Sequence, residues 1–330
     1  MLKKDWELHH ICLVVRNWND ALDYYQSIRI GENVGPQVMY MDYRDGGSAK
    51  IYSNKDVPKT NGGLGPGKPL EDTSEQGRRS PNYTFMDKDC LIGDLLLEIG
   101  ENRSIPLEGI THICFNIPDV KKETDKLLEK DCALMWEITQ GGNILENHID
   151  TRKYGNVDIS FRPPILELEQ AWFDHHLSYP YLKDWKFHGL GIAVRDLDKV
   201  VEYYEKLDII EFEPETELNS ALLDSINVSS ESMELNFKTR VKSGLVGPVA
   251  FEFIQPLEGP SIYQESLDSR GEGVAEMVFT VSDLEKEVAT MIYRGMPLIL
   301  SGKPKNGPSF ACFDTRKNNG NIIIRLIQRK

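Results

Sequence analysis

The stretch "THICFNIPDV", residues 111–120, repeats the shape of an earlier stretch, "LHHICLVVRNWNDALDYY", residues 8–25. In each, His-Ile-Cys lies in a short apolar run that is followed by a polar residue able to cap a helix. Two later segments follow the same plan: "FHGLGIAVRDLDKVVEYYEKL" from residue 187 and "VAEMVFTVSDLEKEVATMIYR" from residue 274. Each apolar run predicts a strand, and the apolar residues spaced three and four apart after it predict an amphipathic helix. The sequence therefore predicts four copies of one unit.

Further strand-like runs follow each helix, and they complete the unit. The second unit continues with "ALMWEIT" and "NVDISF", and the fourth with "MPLILS", "SFACF" and "NIIIRLI". We therefore expect each unit to be βαβββ, which predicts an α+β protein. An ordinary α+β protein with similar hairpins is the alternative.

The repetition has a second level, which predicts two domains. Unit one resembles unit three, because both have a Val-Arg pair before a helix that ends in Tyr-Tyr. Unit two resembles unit four, because "DTRKYGN" at residue 150 matches "DTRKNNGN" at residue 314. We expect an N-terminal domain over residues 1–170 and a C-terminal domain over residues 180–330, with the seam within residues 165–185.

Composition limits the function classes. The chain has 330 residues, a formal net charge of -14 and 40% hydrophobic residues. The negative charge opposes binding to nucleic acid. The sequence contains neither an apolar run long enough for a membrane span nor a signal peptide, so we expect a soluble, cytoplasmic protein. The five cysteines include no CxxC pair and are expected to be reduced and structural: Cys12, Cys90, Cys114, Cys132 and Cys312.

The four units resemble the vicinal oxygen chelate superfamily, which includes glyoxalase I, methylmalonyl-CoA epimerase and the extradiol dioxygenases. The most specific stretch is residues 251–288, which is similar to the join between the two units of methylmalonyl-CoA epimerases. The resemblance implies two glyoxalase-like domains, in each of which two units form a cupped half-barrel. It also implies a metal held by one residue from the first strand and one from the last strand of each unit.

Transferred to the N-terminal domain, the resemblance gives His10, Glu98 and His112 as metal ligands. Two imidazoles and one carboxylate suit Fe(II), Mn(II), Co(II), Ni(II) or Zn(II) and leave positions for two substrate oxygens. The fourth position falls on Ser160. Asp158, Glu167 and water are open alternatives for that position.

Transferred to the C-terminal domain, the same rule gives Gly189, Glu252, Glu276 and Arg325. Glycine has no ligand atom and arginine stays protonated, so we expect no metal there. Arg325 is expected to neutralise the two carboxylates instead. His188 corresponds to His9, and strand alternation places both on the face opposite to His10.

Other residues of the N-terminal domain are candidates for catalysis. His148 is expected on a strand lining the same cup, where it could carry a proton, and a half-buried histidine satisfied by the backbone is the alternative. Asp158 shares that cup as a candidate catalytic carboxylate. The Gly- and Pro-rich residues 58–82 form either a lid or a surface loop. We interpret the remaining histidines as structural or surface residues: His9, His175, His176 and His188.

The resemblance implies a divalent-metal enzyme. The metal would act as a Lewis acid on a carbonyl or enolate oxygen, so that a carboxylate or histidine removes a neighbouring proton, as in epimerases, isomerases and lyases. A CoA thioester or an oxo-acid is the expected substrate, and a homodimer is an open alternative for assembly. Two other functions remain: an Fe(II) extradiol-type dioxygenase, and a metal-free binding protein of the bleomycin-resistance type.

Overall fold

The computed structural model describes most of the chain. The described residues are 5–33, 37–42, 48–53, 84–102, 108–140, 143–164, 182–219, 223–228, 237–305, 307–318 and 322–329. Four features named above lie outside them: residues 58–82, Glu167, His175 and His176. The domain limits at residues 170 and 180 also lie outside, so they stay predictions.

The N-terminal half forms one ten-stranded mixed sheet in the order β4-β3-β5-β6-β1-β7-β10-β9-β8, with β2 paired to β5. Its strands are β1 (Glu7–Val15), β2 (Gly31–Asn33), β3 (Gln37–Asp42), β4 (Ser48–Ser53), β5 (Thr84–Ile92), β6 (Leu95–Asn102), β7 (Gly109–Asn116), β8 (Ala133–Gln140), β9 (Asn143–Asp150) and β10 (Asp158–Arg162). The middle of the sheet is the antiparallel pair β1 and β7, the first strands of units one and two.

The C-terminal half forms a second ten-stranded sheet, in the order β12-β15-β16-β11-β17-β20-β19-β18-β14, with β13 paired to β15. Its seven central strands, from β15 to β18, follow the order of β5 to β8 in the first sheet, but the edges differ, because β14 pairs with β18 whereas the corresponding β4 pairs with β3. Its strands are β11 (Lys186–Ala193), β12 (Ile210–Phe212), β13 (Thr216–Asn219), β14 (Leu223–Val228), β15 (Lys238–Val246), β16 (Val249–Glu258), β17 (Gly273–Val281), β18 (Leu298–Pro304), β19 (Phe310–Asp314) and β20 (Ile323–Gln328). Here β11 and β17 form the central antiparallel pair. Units one and two therefore pair with each other, as do units three and four.

The described residues contain five α-helices: α1 (Trp18–Ser27), α2 (Val120–Leu128), α3 (Leu197–Leu207), α4 (Ile262–Arg270) and α5 (Leu284–Tyr293). Four of them follow the first strands of the units, and each begins at the Asn or Asp that the sequence indicated as its cap. These caps are Asn17, Asp119, Asp196 and Asp283, whose side chains accept hydrogen bonds from the first-turn amides. The sequence analysis missed α4, which Ser261 caps.

The observed architecture confirms the α+β prediction. Units two and four have the expected βαβββ order, whereas units one and three carry additional strands between their helix and their last two strands. One continuous hydrophobic core includes residues of both halves. A side-chain carboxylate also joins the halves, because Glu272 accepts hydrogen bonds from the amides of Gly155, at 3.0 Å, and Arg195, at 2.8 Å.

Candidate metal centre

Three side chains of the first sheet converge in its middle. Nε2 of His10 lies 3.0 Å from Nε2 of His112 and 2.9 Å from Oε2 of Glu98. Nε2 of His112 lies 3.9 Å from the same carboxylate oxygen. All three residues are buried. We call His10, Glu98 and His112 the donor triad, because each points one ligand atom at the same small volume.

The register of the central strands explains this convergence. β6 runs parallel to β1 and pairs Glu98 with Cys12, while β7 runs antiparallel and pairs His112 with the same cysteine from the other side. His10 precedes Cys12 by two residues and so shares its face. Residues far apart in the sequence thus become direct neighbours because β1 is flanked by the two strands that carry the other donors.

The spacing of the donors fits a divalent ion. Ligands held at about 2.1 Å from an ion lie roughly 3.0 Å apart at right angles and roughly 3.4 Å apart in a tetrahedron. The separations in the triad, 2.9, 3.0 and 3.9 Å, surround these values. Two imidazole nitrogens and one carboxylate oxygen suit Fe, Mn, Co, Ni or Zn. The residues present therefore fit a metal.

Charge and burial act differently on the two triad histidines. Burial opposes protonation of His10, but the charge of Glu98 and its hydrogen bond outweigh this effect and raise the pKa of His10. Burial, together with the charge of His148, lowers the pKa of His112 to about 4. His112 therefore keeps a neutral ring with a nitrogen lone pair at neutral pH.

A second group of titratable side chains adjoins the triad. His148 stands between two carboxylates, with Nε2 at 3.2 Å from Glu146 and Nδ1 at 3.5 Å from Asp158. Its ring centre lies 4.6 Å from that of His112. Burial lowers the pKa of His148, but the hydrogen bonds to Asp158 and Glu146 dominate and raise this pKa to about 10. His148 is therefore an imidazolium at neutral pH in the protein without metal.

The sequence analysis missed Glu146. Burial acts to raise its pKa, but the hydrogen bond and charge of His148 hold the pKa well below its usual range. The signal was available in "LENHID", where Glu146 and His148 alternate on one strand face. Since His148 was expected to line the site, Glu146, two residues earlier on the same strand, should line it as well.

One prediction about strand faces is wrong. The register of β1 against β7 shifts between Leu8 and His10, which makes a β-bulge at His9. The bulge turns His9 to the same side as His10, and their Nδ1 atoms lie 2.6 Å apart. β11 has the same shift between Phe187 and Gly189, and the charges of Glu252 and Arg325 act on the half-buried His188. Strict alternation fails because each strand contains one extra residue.

Arg162 was also missed by the sequence analysis. This last residue of β10 places Nη1 at 2.6 Å from Nε2 and 3.2 Å from Nδ1 of His9. A guanidinium only donates, so the nitrogen of His9 that it contacts accepts. Arg162, His9 and His10 thus form a connected series that leads to the triad.

The fourth ligand position that the resemblance implies corresponds to Ser160 on β10. β10 pairs Ser160 with Cys114, just as β6 pairs Glu98 with Cys12. Asp158, two residues earlier, pairs with His112 and is buried. The ligand atoms of Asp158, His112 and His148 lie within 4.8 Å of one another. Asp158 is therefore beside the triad.

The second sheet carries a different cluster at the equivalent positions. Glu252 and Glu276 flank Gly191 as Glu98 and His112 flank Cys12, and Arg325 takes the position of Ser160. The guanidinium of Arg325 donates to Glu252 and lies 3.4 Å from Oε1 of Glu276. The expected ion pairs of Arg325 are therefore present. Oε1 of Glu276 also accepts from the hydroxyl of Tyr263 at 2.9 Å.

The comparison with protein families identifies the C-terminal half. Residues 188–313 match the model of the glyoxalase/bleomycin resistance protein/dioxygenase superfamily. These residues therefore carry the sequence pattern of this superfamily. It is the same group as the vicinal oxygen chelate superfamily named from the four units, so the resemblance is confirmed over residues 188–313. The seven central strands of the first sheet follow the order of those in the second, which extends the central part of the fold to the N-terminal half.

One solved structure has a similar fold over nearly the full length of the chain. A triple mutant of 4-hydroxymandelate synthase from Streptomyces coelicolor is 11% identical, covers 98% of this chain and 93% of its own, and has a TM-score of 0.64. Methylmalonyl-CoA epimerase from Mycobacterium tuberculosis is 20% identical and covers 45% of this chain and 89% of its own, with a TM-score of 0.35. No curated protein matches the sequence. Among the described residues, no helix is long and apolar enough to cross a membrane.

Proposed function

We propose that the chain is a divalent-metal enzyme that moves a proton next to a carbonyl group, as an epimerase, isomerase or lyase. The observation that carries this proposal is the convergence of Nε2 of His10, Nε2 of His112 and Oε2 of Glu98 in a buried volume that fits an ion. Three ligands from the chain leave coordination positions for substrate oxygens. The superfamily match supports a small molecule as the substrate.

The bound ion would supply a Lewis acid that polarises a carbonyl or enolate oxygen. The chain supplies the remaining parts. Burial keeps His112 neutral and available as a ligand. His148 holds a proton between Glu146 and Asp158, next to the ring of His112. Held between two carboxylates and beside a triad histidine, His148 is placed to give and take a proton.

Asp158 is proposed as the partner of His148 in this proton transfer. A carboxylate hydrogen-bonded to an imidazole fixes the orientation of the ring and stabilises its charged form. Asp158 and His148 lie on neighbouring strands, β10 and β9, so that the sheet fixes their relative position. An oxo-acid or a CoA thioester remains the proposed substrate, and a homodimer remains a prediction.

Metal content is the first test of this function. Purified protein dialysed against a trace mixture of divalent ions should retain one ion per chain, measured by mass spectrometry. His10→Ala and His112→Ala should each lose the ion, because each variant leaves only two of the three ligands, which is too few to hold it through dialysis. His188→Ala is the matched control, since this histidine lies in the second sheet, and it should retain the ion. Equal metal content in the wild type and the three variants would exclude the triad as the metal-binding site.

Proton transfer is the second test. Under anaerobic conditions in deuterated buffer, an oxo-acid or thioester substrate should gain deuterium next to its carbonyl group. The exchange should fall by about a hundredfold or more in His148→Gln, since general acid-base groups contribute that much. Exchange at the wild-type rate in this variant would remove His148 from the proposal.

An Fe(II) ring-cleaving dioxygenase is the second candidate. Two histidines and one carboxylate with open positions are also the ligand set of non-haem iron oxygenases. Iron in the purified protein together with oxygen uptake in the presence of a catecholic diol would favour this candidate. Absence of bound metal from the wild type would instead favour a metal-free binding protein.

A further inference from the structure

The two sheets provide a comparison of equivalent positions within one molecule. β10 pairs Ser160 with His148, and β20 pairs the equivalent Arg325 with Cys312. Two residues further along these strands stand Arg162 and Ile327, and two residues back stand Asp158 and Ile323. The fold therefore accepts an apolar side chain at the position of Arg162. Since placing a charge in a partly buried site is costly, packing does not explain the arginine.

Two imidazole rings, those of His9 and His10, connect Arg162 to the triad. Its Nη1 contacts the ring of His9, and Nδ1 of His9 lies 2.6 Å from Nδ1 of His10. His10 presents its other nitrogen, Nε2, to Glu98 and His112. The guanidinium is half-buried and shares the strand face of Asp158 and Ser160. It thus lies on the same side of the sheet as the triad and is connected to it through the rings of His9 and His10.

Arg162 lies beside the central strands on this side of the site. It stands on β10, which pairs with β7, and its Nη1 contacts the ring of His9 on β1. Among charged side chains, arginine suits carboxylates best, because its planar fork donates two parallel hydrogen bonds. A cation at this distance from a metal centre is suited to a group on the substrate other than the one that binds the ion.

We propose that Arg162 binds a carboxylate of the substrate that is separate from the two oxygens facing the triad. This inference rests on the proposed function and specifies its substrate class: an anionic oxo compound whose carboxylate lies a few bonds from the chelating oxygens. A single carboxylate cannot contact both places, because the rings of His9 and His10 separate them. The substrate is therefore longer than a two-carbon or three-carbon acid that chelates through its own carboxylate.

A matched pair of inert chelators tests this inference by binding alone. Butanohydroxamate and the monohydroxamate of succinic acid present the same two chelating oxygens, but only the second has a distant carboxylate. Calorimetric titration of zinc-loaded wild-type protein should show the carboxylate compound binding about tenfold to a hundredfold tighter. In Arg162→Met the two compounds should bind equally, and Arg162→Lys should keep part of the preference, because lysine retains the charge without the fork.

Arg16→Met is the control, because it removes one positive charge from an exposed ion pair with Glu108 in the same half. It should keep the full wild-type preference. Zinc titration of every variant comes first and shows that the site is intact. Equal binding of the two chelators by zinc-loaded wild type, or an unchanged preference in Arg162→Met, would overturn the inference while leaving the metal site standing. Failure of wild type to bind zinc would overturn the proposed function, and the inference with it.

Discussion

Ser160 and Arg325 occupy equivalent positions on the last strands of the two sheets: β10 pairs Ser160 with Cys114, and β20 pairs Arg325 with Val278. The long arginine side chain reaches both carboxylates of the second cluster, Glu252 and Glu276. Its positive charge is fixed to the chain, whereas the first sheet has the hydroxyl of Ser160 at this position. The two halves thus surround their central carboxylates with different charged groups.

Removing the guanidinium of Arg325 should strongly destabilise the C-terminal half. In Arg325→Met two carboxylates lose their cation, and Glu276 is fully buried. Breaking such a pair costs about 3–5 kcal/mol, which should appear as a lower free energy of unfolding in urea. Arg240→Met is the control: its ion pairs with Asp198 and Glu215 involve partly exposed groups, and its loss should cost under about 1 kcal/mol. Similar losses in the two variants would contradict the buried role of Arg325.

Glycine is required at the position in the second sheet that corresponds to His10. A Cβ added at Gly189 would overlap the carbonyl oxygen of Ala250 on the neighbouring strand, and backbone moves only with the whole sheet. Gly189→Ala should lower the free energy of unfolding by about 1–3 kcal/mol. Gly307→Ala, where the nearest atom is Cβ of Pro304 at 3.3 Å, should change the free energy by less than about 0.5 kcal/mol. A stable, metal-binding Gly189→His variant would show that this backbone contact is not decisive.

Metal affinity should fall when the pH is lowered. A metal ligand must be deprotonated, and the pKa of His10 is raised by Glu98 above the ordinary value of 6.5. Protons therefore compete for Nε2 of His10 already near neutral pH, whereas His112, with a pKa of about 4, stays neutral. Zinc titrations at pH 8, 7 and 6 should show affinity decreasing by up to about tenfold per unit below the pKa of His10. A constant affinity over this range would contradict the raised pKa.

Alkaline pH should weaken the metal-free protein through His148. The folded-state pKa of His148, about 10, exceeds its ordinary value of 6.5. The ion pairs with Glu146 and Asp158 therefore stabilise the fold fully below pH 6.5, and this contribution is lost as the pH rises through about 10. We expect a difference of about 4 kcal/mol between pH 6 and pH 10, on the order set by the shift.

The measurement is urea unfolding with a chelator present, for wild type and for His148→Gln. The difference between the two proteins isolates His148 from the tyrosines that also titrate in base. The variant should lack the part of the alkaline loss that comes from His148. Parallel pH profiles in the two proteins would show that the imidazolium form does not stabilise the fold.

The sequence by itself determined the repeat and the helices that follow the first strands. These features depend on local physics: apolar periodicity, and an Asp or Asn cap such as Asp119 that begins a helix wherever it stands. The donor triad, as a hypothesis, and the place of Arg325 between two carboxylates followed from the ligand positions of the resembled superfamily. That transfer needs the resemblance as well as the assumption that repeats fold alike.

Only the tertiary structure decided which residues surround the triad. The bulge at His9 arises from the register of β1 against β7, and register depends on the partner strand rather than on the residues of β1 alone. The approach of Arg162 to His9, and of Glu146 to His148 beside Asp158, likewise results from strands that meet across the sheet. The sequence determines which face of a regular strand a residue takes, but a single extra residue in the pairing reverses that face. The contacts on which the proposed substrate binding rests therefore became visible only with the completed sheet.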